Sequence, residues 1–386
     1  MKTTMKVSAS CAVGIEKVVA AELERLGLVP GARSAGRVGF ETDSAGLGKA
    51  LVGLRTVDRV FLEAGMFPAG DFDQLFEGFA SIPWERWIGP HDRLVIEKAR
   101  SLHSTLDSQS SIQSVGQKAA YDRLCSKYGV NRMPESGNTV LTRVRIDKNI
   151  ATVELDLCGE ALSRRGYRKY PTEAPLKESL AAAVLFMSGW RRSFALYDPF
   201  CGSGTIPIEA ALYAFDIAPG LGRNFSWEMM PDGGSMAIAA AKEKARAAVN
   251  LDRDVLIAGS DLSQAVLDSA LANAGLAKVG DRIRFFKAKA EEAAPFADKG
   301  FIITDPPYGK RLGTPAEADA LYASLGAFSK RFAKWDMCFV VDREEFGSLI
   351  GSEPGQKSSL PWKKTKIVDG AETRWLQRAI ASNARA

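Results

Sequence analysis

The sequence predicts an α/β protein with a Rossmann-like domain in its C-terminal half and an α+β region before it. Three observations lead to this fold class. Short apolar strands alternate with helices after residue 177, which is the pattern of a parallel sheet covered by helices. A glycine loop follows the first of these strands, at the edge where doubly wound sheets bind ligands. Before residue 160, strands and helices are instead mixed without regular alternation.

The first 64 residues are expected to form one α+β domain of a chain that is long enough, at 386 residues, for two or three. An alternating strand is predicted over 5–11. Gly14 then precedes a helical run of apolar residues that ends at Gly27. The next predicted elements are a strand over 38–42 and a short helix over 45–53.

A second α+β domain is expected over 65–160. Its predicted elements, in order, are a helix over 71–80, a strand over 93–99, a helix over 109–128, and strands over 139–146 and 150–156 around a turn at 147–149. The region carries 11 Lys and Arg residues against 13 Asp and Glu residues, so it is not a basic domain.

Residues 161–386 are expected to form the C-terminal domain, with the basic segment 161–177 as a linker into it. The predicted strands are 193–197, 255–259, 283–287, 301–304 and 338–341. The predicted helices are 204–214, 237–249, 263–274 and 315–332. The irregular stretch 218–235 is expected to form a loop above the sheet.

The net charge of the chain does not identify the molecules that it binds. A net charge of +5 is modest and does not by itself indicate nucleic acid. Positive charge is concentrated in the segment 161–177 and in the tail from residue 353, each with a net charge of +4. Such clusters can bind phosphates, but an ordinary solvated surface explains either cluster equally well.

Cysteine usage and hydropathy indicate a cytoplasmic protein. The five cysteines are scattered and odd in number, as expected of reduced thiols. His91 and His103 are the only histidines, so no zinc pattern exists and we expect no metal. No apolar run reaches the length of a membrane span and the N-terminus lacks a secretory apolar region, so we expect no membrane association.

The glycine loop after the first C-terminal strand predicts a cofactor site. Gly202 and Gly204 let the backbone approach a ligand, and the following helix offers free N–H groups. A carboxylate at Asp198 would repel a pyrophosphate but suits a positive amino-acid end, which favours S-adenosylmethionine over a dinucleotide. Asp261, which lies 57 residues after Gly204 at the end of the next strand, is placed for ribose hydroxyls. The alternative is a glycine turn of any α/β sheet. The candidate cofactor residues are Asp198, Phe200, Gly202, Gly204, Thr205, Asp261 and Leu262.

A second motif, Asp305-Pro306-Pro307-Tyr308, follows a buried strand and is predicted to lie at the same edge of the sheet. Two prolines remove N–H donors, so the Asp305 carboxylate and the Pro306 carbonyl remain as acceptors for an exocyclic –NH2 group. Tyr308 can stack on a flat base. Methyl transfer to such an amine depends mostly on positioning. The alternative for the motif taken alone is a tight turn with a capping Asp, and the motif does not distinguish adenine from guanine.

Together these motifs resemble the THUMP-domain RNA methyltransferases, in particular the bacterial branch that makes N2-methylguanine in 23S ribosomal RNA. The resemblance covers nearly the whole chain. It is carried by the segments 9–16, 54–60, 75–78, 101–115, 165–168, 174–181, 198–211 and 306–313. It implies a ferredoxin-like domain at 1–64, a THUMP RNA-binding domain at 65–160 and a class I methyltransferase domain at 161–386.

The resemblance also implies roles for individual residues. S-adenosylmethionine would be bound by Asp198, Gly202, Gly204 and Asp261. The target-base pocket would be formed by Asp305, Pro306, Pro307 and Tyr308. The family branch usually has Asn where Asp305 stands, and both side chains accept hydrogen bonds from an amine. Lys289 stands where many class I methyltransferases have an acidic residue for the adenine amine, so Glu291 or the backbone is expected to serve there.

Three hypotheses of function follow. The first is guanine-N2 methylation of 23S rRNA. The second is the same chemistry on transfer RNA, or adenine-N6 methylation. The third is a non-catalytic RNA-binding assembly factor, against which the intact glycine loop and acidic residues argue. Thiolation enzymes also carry THUMP domains, but the nucleotide-binding loop and reactive cysteines that they need are absent from this sequence.

Overall fold

The computed structural model describes residues 4–170, 176–307, 315–350 and 361–381. Across these ranges the strands form two seven-stranded sheets, one from the N-terminal strands and one from the C-terminal strands. This arrangement confirms an α+β region followed by a Rossmann-like α/β domain.

The N-terminal sheet is built from short strands with helices on one face. Its strands are β1 (Met5–Ser10), β2 (Pro30–Ser34), β3 (Arg37–Thr42), β4 (Arg59–Pro68), β5 (Arg93–Leu102), β6 (Thr139–Asp147) and β7 (Ile150–Asp156). The helices are α1 (Glu16–Arg25), α2 (Ser44–Gly53), α3 (Phe72–Ser81) and α4 (Gln109–Tyr128). The strand order is β2-β3-β1-β4-β7-β6-β5. Strands β5 and β6 are parallel, and the other neighbours are antiparallel.

Local capping explains why the helices of this region begin and end where they do. The side chains of Asp43, Asp71 and Ser108 accept hydrogen bonds from the first turns of α2, α3 and α4. Gly129 follows α4 in the left-handed conformation, which only glycine adopts without strain. The predicted helix over 109–128 is confirmed.

One sheet and one core extend across the expected boundary at residues 64 and 65. Strand β4 continues through that boundary and pairs with β1 on one side and β7 on the other. The buried residues of the first 64 positions and of 65–160 accordingly form a single apolar cluster, in which Val60 contacts the same core as Leu94 and Leu155.

The C-terminal sheet is mostly parallel. Its strands are β8 (Ala195–Asp198), β9 (Ile257–Asp261), β10 (Arg284–Lys287), β11 (Gly300–Thr304), β12 (Trp335–Val341), β13 (Lys363–Asp369) and β14 (Glu372–Ala379). The helices are α5 (Glu178–Ser188), α6 (Thr205–Ala214), α7 (Ser235–Ala247), α8 (Gln264–Leu276), α9 (Pro315–Arg331) and α10 (Phe346–Leu349). The order is β10-β9-β8-β11-β12-β14-β13, in which β14 is antiparallel to both neighbours. The β13–β14 hairpin was not predicted.

The prediction that 218–235 forms a loop above the sheet is wrong. This stretch packs against the N-terminal region: Gly220 N donates to Val52 O at 2.9 Å, and Trp227 N donates to Leu157 O at 3.2 Å. The Trp227 side chain is buried in the N-terminal core. The apolar surface of Trp227 therefore fixes the position of the stretch, because it finds its burial partners outside the catalytic sheet.

The basic segment 161–177 is not a solvated linker. Arg165 is buried against Glu209, and Arg168 lies 3.4 Å from Glu178. Lys177 pairs with Asp369 at 2.8 Å. Two of the five cations of this segment, Arg165 and Arg168, are thus paired with buried acids, whereas Arg164, Lys169 and Lys177 remain at the surface.

The tail cluster is divided in a similar way. Arg374 is buried and pairs with Glu372 at 2.6 Å, whereas Lys363, Lys364 and Lys366 are exposed on the edge strand β13.

Across the described ranges, no helix combines the length and the apolarity that a bilayer-spanning segment needs.

Candidate cofactor and substrate site

Three acidic residues lie side by side where adjacent parallel strands end. Asp198 ends β8, Asp261 ends β9, and Asp305 follows β11. Strand β8 lies between the other two strands and pairs with both in parallel. The two sequence motifs, a hundred residues apart, therefore meet at one edge of the sheet, as their positions after buried strands predict.

Asp198 is the most buried of the three, with 1% of its surface exposed. Its Oδ1 accepts hydrogen bonds from Thr304 Oγ1 at 2.6 Å and from Phe200 N at 3.1 Å. The pKa of the Asp198 carboxyl is raised to about 7. Burial is the main cause, the nearby charges of Asp305 and Asp261 also raise the pKa, and the two hydrogen bonds lower it. The site is short of positive charge, so a cationic ligand group beside Asp198 would be stabilised.

The glycine loop adopts a conformation that requires glycine. Gly202 and Gly204 have φ values of +52° and +85°. A Cβ on Gly204 would also lie 3.1 Å from Ala270 Cβ and 3.2 Å from Phe285 Cζ. Gly204 is the N-terminal cap of α6, so the loop presents the free N–H end of that helix.

Asp261 holds the loop from the neighbouring strand. Its Oδ2 accepts a hydrogen bond from Gly202 N at 3.2 Å, and its Oδ1 accepts one from Ser263 N at 3.0 Å. Leu262, the next residue, is 59% exposed, and Phe200 is half-buried on the other side of the loop. The edge thus combines acceptors with apolar surface, which suits a nucleoside.

The substrate motif continues directly from β11. Asp305 is 8% exposed, Pro306 is buried and Pro307 is half-buried. Tyr308 lies outside the described residues. Thr304, just before the motif, donates the hydrogen bond to Asp198, so one residue ties the two motifs together.

Two contributors were not identified from the sequence. The sequence marks Thr304 only as the end of a strand, although its hydroxyl fixes the Asp198 carboxylate. Asn273, on α8, is fully buried; its Nδ2 donates to Ser203 O at 3.2 Å and its Oδ1 accepts from Lys169 N at 3.2 Å. An Asn among the apolar residues of a predicted helix was the available signal, because a buried amide needs partners.

The remaining candidates have contacts of their own. Thr205 Oγ1 accepts a hydrogen bond from Arg168 Nη2 at 3.1 Å. Lys289 lies 3.6 Å from Glu292. Glu291 Oε1 accepts from Ser324 Oγ at 3.2 Å, so its carboxylate contacts α9.

The residues present fit S-adenosylmethionine. The glycine loop would allow a close backbone approach, Asp198 would provide a buried negative charge for an amino-acid ammonium, and Asp261 lies at the strand end where a ribose would be bound. The position of Asp198 beside the loop disfavours a pyrophosphate.

Comparison with known proteins identifies the family. The family described as "RMKL-like, methyltransferase domain" matches residues 165–368, and the "RlmL ferredoxin-like domain" matches residues 6–61. YpsC, an RNA methyltransferase candidate of Bacillus subtilis, is 33% identical over 91% of either chain. The ribosomal RNA large subunit methyltransferase K/L of Syntrophotalea carbinolica is 31% identical over 91% of this chain and 51% of that protein. The chain thus spans about half the length of that K/L relative.

Solved structures agree with this assignment. The methyltransferase candidate SMU.472, solved with S-adenosylhomocysteine, is 30% identical, with a TM-score of 0.90 over all of both chains. A Listeria monocytogenes protein, described as a predicted N6-adenine-specific DNA methylase, is 33% identical, with a TM-score of 0.88 over 97% of this chain and 96% of that one. The N-terminal region therefore contains a ferredoxin-like domain, and the C-terminal domain has the class I methyltransferase fold. The chain belongs to the RMKL-like methyltransferase family, and its cofactor is S-adenosylmethionine.

Proposed function

We propose that the protein is an RNA methyltransferase that transfers a methyl group to the exocyclic N2 amine of a guanine in 23S rRNA. The observation that carries the proposal is the Thr304–Asp198 hydrogen bond, which fixes the acceptor-rich Asp305-Pro306 corner beside the cofactor residues. An amine placed on that corner lies next to the cofactor loop. The amine nitrogen itself attacks the methyl group as the methyl–sulfur bond breaks. Because no protein nucleophile and no metal is needed, the reaction depends on orientation.

The residues at this edge have different roles in the proposed reaction. Asp198, Phe200, Gly202, Gly204, Thr205, Asp261 and Leu262 form the cofactor side of the site. The bound cofactor supplies an electrophilic methyl group on a sulfonium. The Asp305 carboxylate and the Pro306 carbonyl accept the two amine hydrogens and so direct the nitrogen lone pair. Asp305 also stabilises the positive charge that develops on nitrogen. Tyr308 is proposed to stack on the base.

RNA as the substrate is supported by the relatives. YpsC and the K/L protein are both named for RNA methylation, and the K/L protein for large-subunit rRNA. We assign residues 1–64 to the ferredoxin-like domain, 65–160 to a THUMP RNA-binding domain and 161–386 to the methyltransferase domain. We place the activity in the cytoplasm, in keeping with its five free cysteines.

Adenine-N6 methylation is the second candidate, with transfer RNA as a further possible substrate of the guanine chemistry. The observation in favour of adenine is the Listeria relative, whose description names adenine. The motif accepts either amine, because adenine N6 and guanine N2 are both flat –NH2 groups. The non-catalytic assembly factor is set aside, since the chain belongs to a methyltransferase family.

The proposal is tested with labelled S-adenosylmethionine and separated ribosomal and transfer RNAs from a strain that lacks this protein. The product nucleoside is identified by mass. We expect N2-methylguanosine in large-subunit RNA. Label in transfer RNA, or N6-methyladenosine as the product, would contradict the proposed target while leaving the methyltransferase chemistry intact. An Asp305→Ala sample controls for contaminating activity.

A further inference from the structure

The outward face of the N-terminal sheet carries like charges directly opposite one another. In the parallel register of β5 and β6, Lys98 faces Arg143 and Arg100 faces Arg145. The residues between them, Ala99 and Val144, are buried and point to the helices, so all four cations project from the other face. Opposed like charges destabilise a sheet unless an anion covers them.

Only part of this charge is neutralised. Arg143 pairs with Glu97 at 3.0 Å. Among the described residues, no carboxylate lies within salt-bridge distance of Lys98, Arg100 or Arg145, whereas the acids further along the face are already paired, such as Glu154 with Arg37. Within the part of the chain that the structure describes, three cations are therefore left without a salt-bridge partner.

Arg145 borders a depression in the same face. This cavity of about 310 Å³ is lined by the cations Lys6, Arg37 and Arg145 and by the carboxylates Glu41, Glu63 and Glu154, among others. Arg37 and Arg143 cover the Phe61 ring, with guanidinium carbons 5.0 Å and 4.8 Å from its centroid. Burial lowers the pKa of Arg37, and the adjacent Arg145 and Arg143 lower it further, which shows how closely the cations are crowded.

Protection of the sheet edge explains only half of the cluster. Strand β5 is an edge strand, and lysine or arginine on an edge discourages pairing with other chains. Strand β6 lies inside the sheet, however, where Arg143 and Arg145 serve no such purpose. A row of cations across two strands instead matches the closely spaced charges of a nucleic-acid backbone.

We propose that Lys98, Arg100 and Arg145 form a docking surface for the phosphate backbone of RNA on the outward face of the N-terminal sheet. This inference rests on the proposed RNA methyltransferase function and adds a second binding surface, on a different sheet from the one whose edge holds Asp198. The surface supplies affinity and orientation without reading sequence, because it consists of phosphate-type contacts alone. The sheet fixes the backbone positions of these three residues, so their spacing is set by the strand register.

The test compares two triple variants with the same change in charge. Lys98→Gln/Arg100→Gln/Arg145→Gln removes the cluster, whereas Lys17→Gln/Lys49→Gln/Lys127→Gln removes three exposed cations from helices α1, α2 and α4 on the other side of the sheet. Binding of a large-subunit rRNA transcript and of a short RNA duplex is measured between 50 and 200 mM salt. We expect the slope of log K against log salt to fall by about 3 in the cluster variant, roughly one for each phosphate-binding cation removed. The control variant should keep most of the wild-type slope.

Further readouts separate this surface from a structural role. The cluster variant should keep or raise the wild-type Tm, because opposed like charges are removed. It should also keep its affinity for S-adenosylhomocysteine and methylate RNA with a raised KM. An unchanged salt slope would overturn the surface while leaving RNA methylation intact. If the cluster variant loses binding to polyglutamate or to phosphatidylserine vesicles while its RNA binding equals that of the wild type, RNA is not the occupant of this surface. If the wild-type protein binds neither RNA, both the surface and the proposed function fail.

Discussion

Arg165 and Glu209 form a buried ion pair that joins the segment after the N-terminal sheet to the helix behind the cofactor loop. Arg165 Nε lies 3.3 Å from Glu209 Oε1, and the side chains are 3% and 0% exposed. Arg165 also donates to the carbonyl of Arg55, and Tyr167 Oη donates to the same Glu209 oxygen at 3.1 Å. The N-terminal region is thereby fixed to α6, which begins just after Gly204.

Removal of one partner of this pair should be costly. Arg165→Ala leaves the Glu209 carboxylate buried without its cation, and we expect a loss of about 3–5 kcal/mol in the free energy of unfolding. Arg164→Ala is the matched control, because Arg164 is 74% exposed and its removal should change stability by less than about 0.5 kcal/mol. Urea denaturation of both variants checks the expectation. Equal stabilities for the two would mean that the buried pair does not stabilise the folded chain.

Gly204→Ala should disturb both the loop and the cofactor site. The residue has a φ of +85°, and the added Cβ would lie 3.1 Å from Ala270 Cβ. We expect a loss of roughly 1–3 kcal/mol in stability, with weaker binding of S-adenosylhomocysteine. Gly222→Ala is the control, since a Cβ there meets no atom within 4 Å. Calorimetry measures the affinity of both variants for S-adenosylhomocysteine. A Gly204→Ala protein with wild-type affinity would show that the loop geometry does not contribute to cofactor binding.

Local patterns in the sequence were sufficient for the elements whose causes are local. The helix over 109–128 was predicted from the helical spacing of apolar residues such as Ile112, Val115 and Ala119, and the structure shows Ser108 and Gly129 as its caps. The meeting of Asp198 with Asp305 was predicted because both follow buried strands of one parallel sheet. The hairpin strand β13 was missed because its first four residues are exposed, so no alternation marks it.

The features that could not be predicted from the sequence depend on packing between residues far apart in the chain. Trp227 is buried in a core supplied by the N-terminal region, and nothing near it in the chain indicates that partner. Arg164 and Arg165 are neighbours in a basic run, but one is exposed and the other is buried. A run of charge does not show which side chains face inward, because that depends on acids such as Glu209, far away in the sequence.

Asp261→Ala should weaken cofactor binding for two reasons. The change removes the acceptor proposed for the ribose and also the acceptors for Gly202 N and Ser263 N. Hydrogen bonds to charged groups contribute about 1.5–3 kcal/mol, so we expect at least a tenfold loss of affinity for S-adenosylhomocysteine. Asp261→Asn keeps one carbonyl oxygen and should lose less. If the alanine variant binds as tightly as the wild type, the ribose assignment is wrong.

Asp305→Ala should lose turnover while keeping its affinity for the cofactor. The carboxylate is proposed to act on the amine and on the charge that develops there, and loss of one such group typically costs about 100- to 1,000-fold in kcat. Asp305→Asn retains an acceptor and should keep a larger part of the activity. Both variants are compared at pH 8.5, where Asp198 is ionised in each. Unchanged turnover of the alanine variant would exclude Asp305 from the mechanism.

Cofactor affinity should rise with pH, because Asp198 must be ionised to bind an ammonium group. Burial raises the pKa of this carboxyl from 3.8 to about 7 in the folded chain without cofactor. Below that pKa, binding must first displace a proton, so affinity should fall by about tenfold between pH 8 and pH 6. The dissociation constant of S-adenosylhomocysteine, measured by calorimetry across this range, checks the slope.

Asp198→Asn provides the control for this pH dependence. The amide oxygen can still accept from Thr304 and Phe200, but it carries no charge, so affinity should be weak and nearly independent of pH. The pKa of Asp198 is higher in the folded chain than in the unfolded chain. As pH rises from about 4 to 7, the unfolded chain therefore loses this proton more readily, and the stability of the folded chain falls. The Asn variant should therefore gain stability relative to the wild type at pH 8 but not at pH 4. A wild-type affinity that does not change between pH 6 and pH 8 would show that Asp198 binds no cationic group.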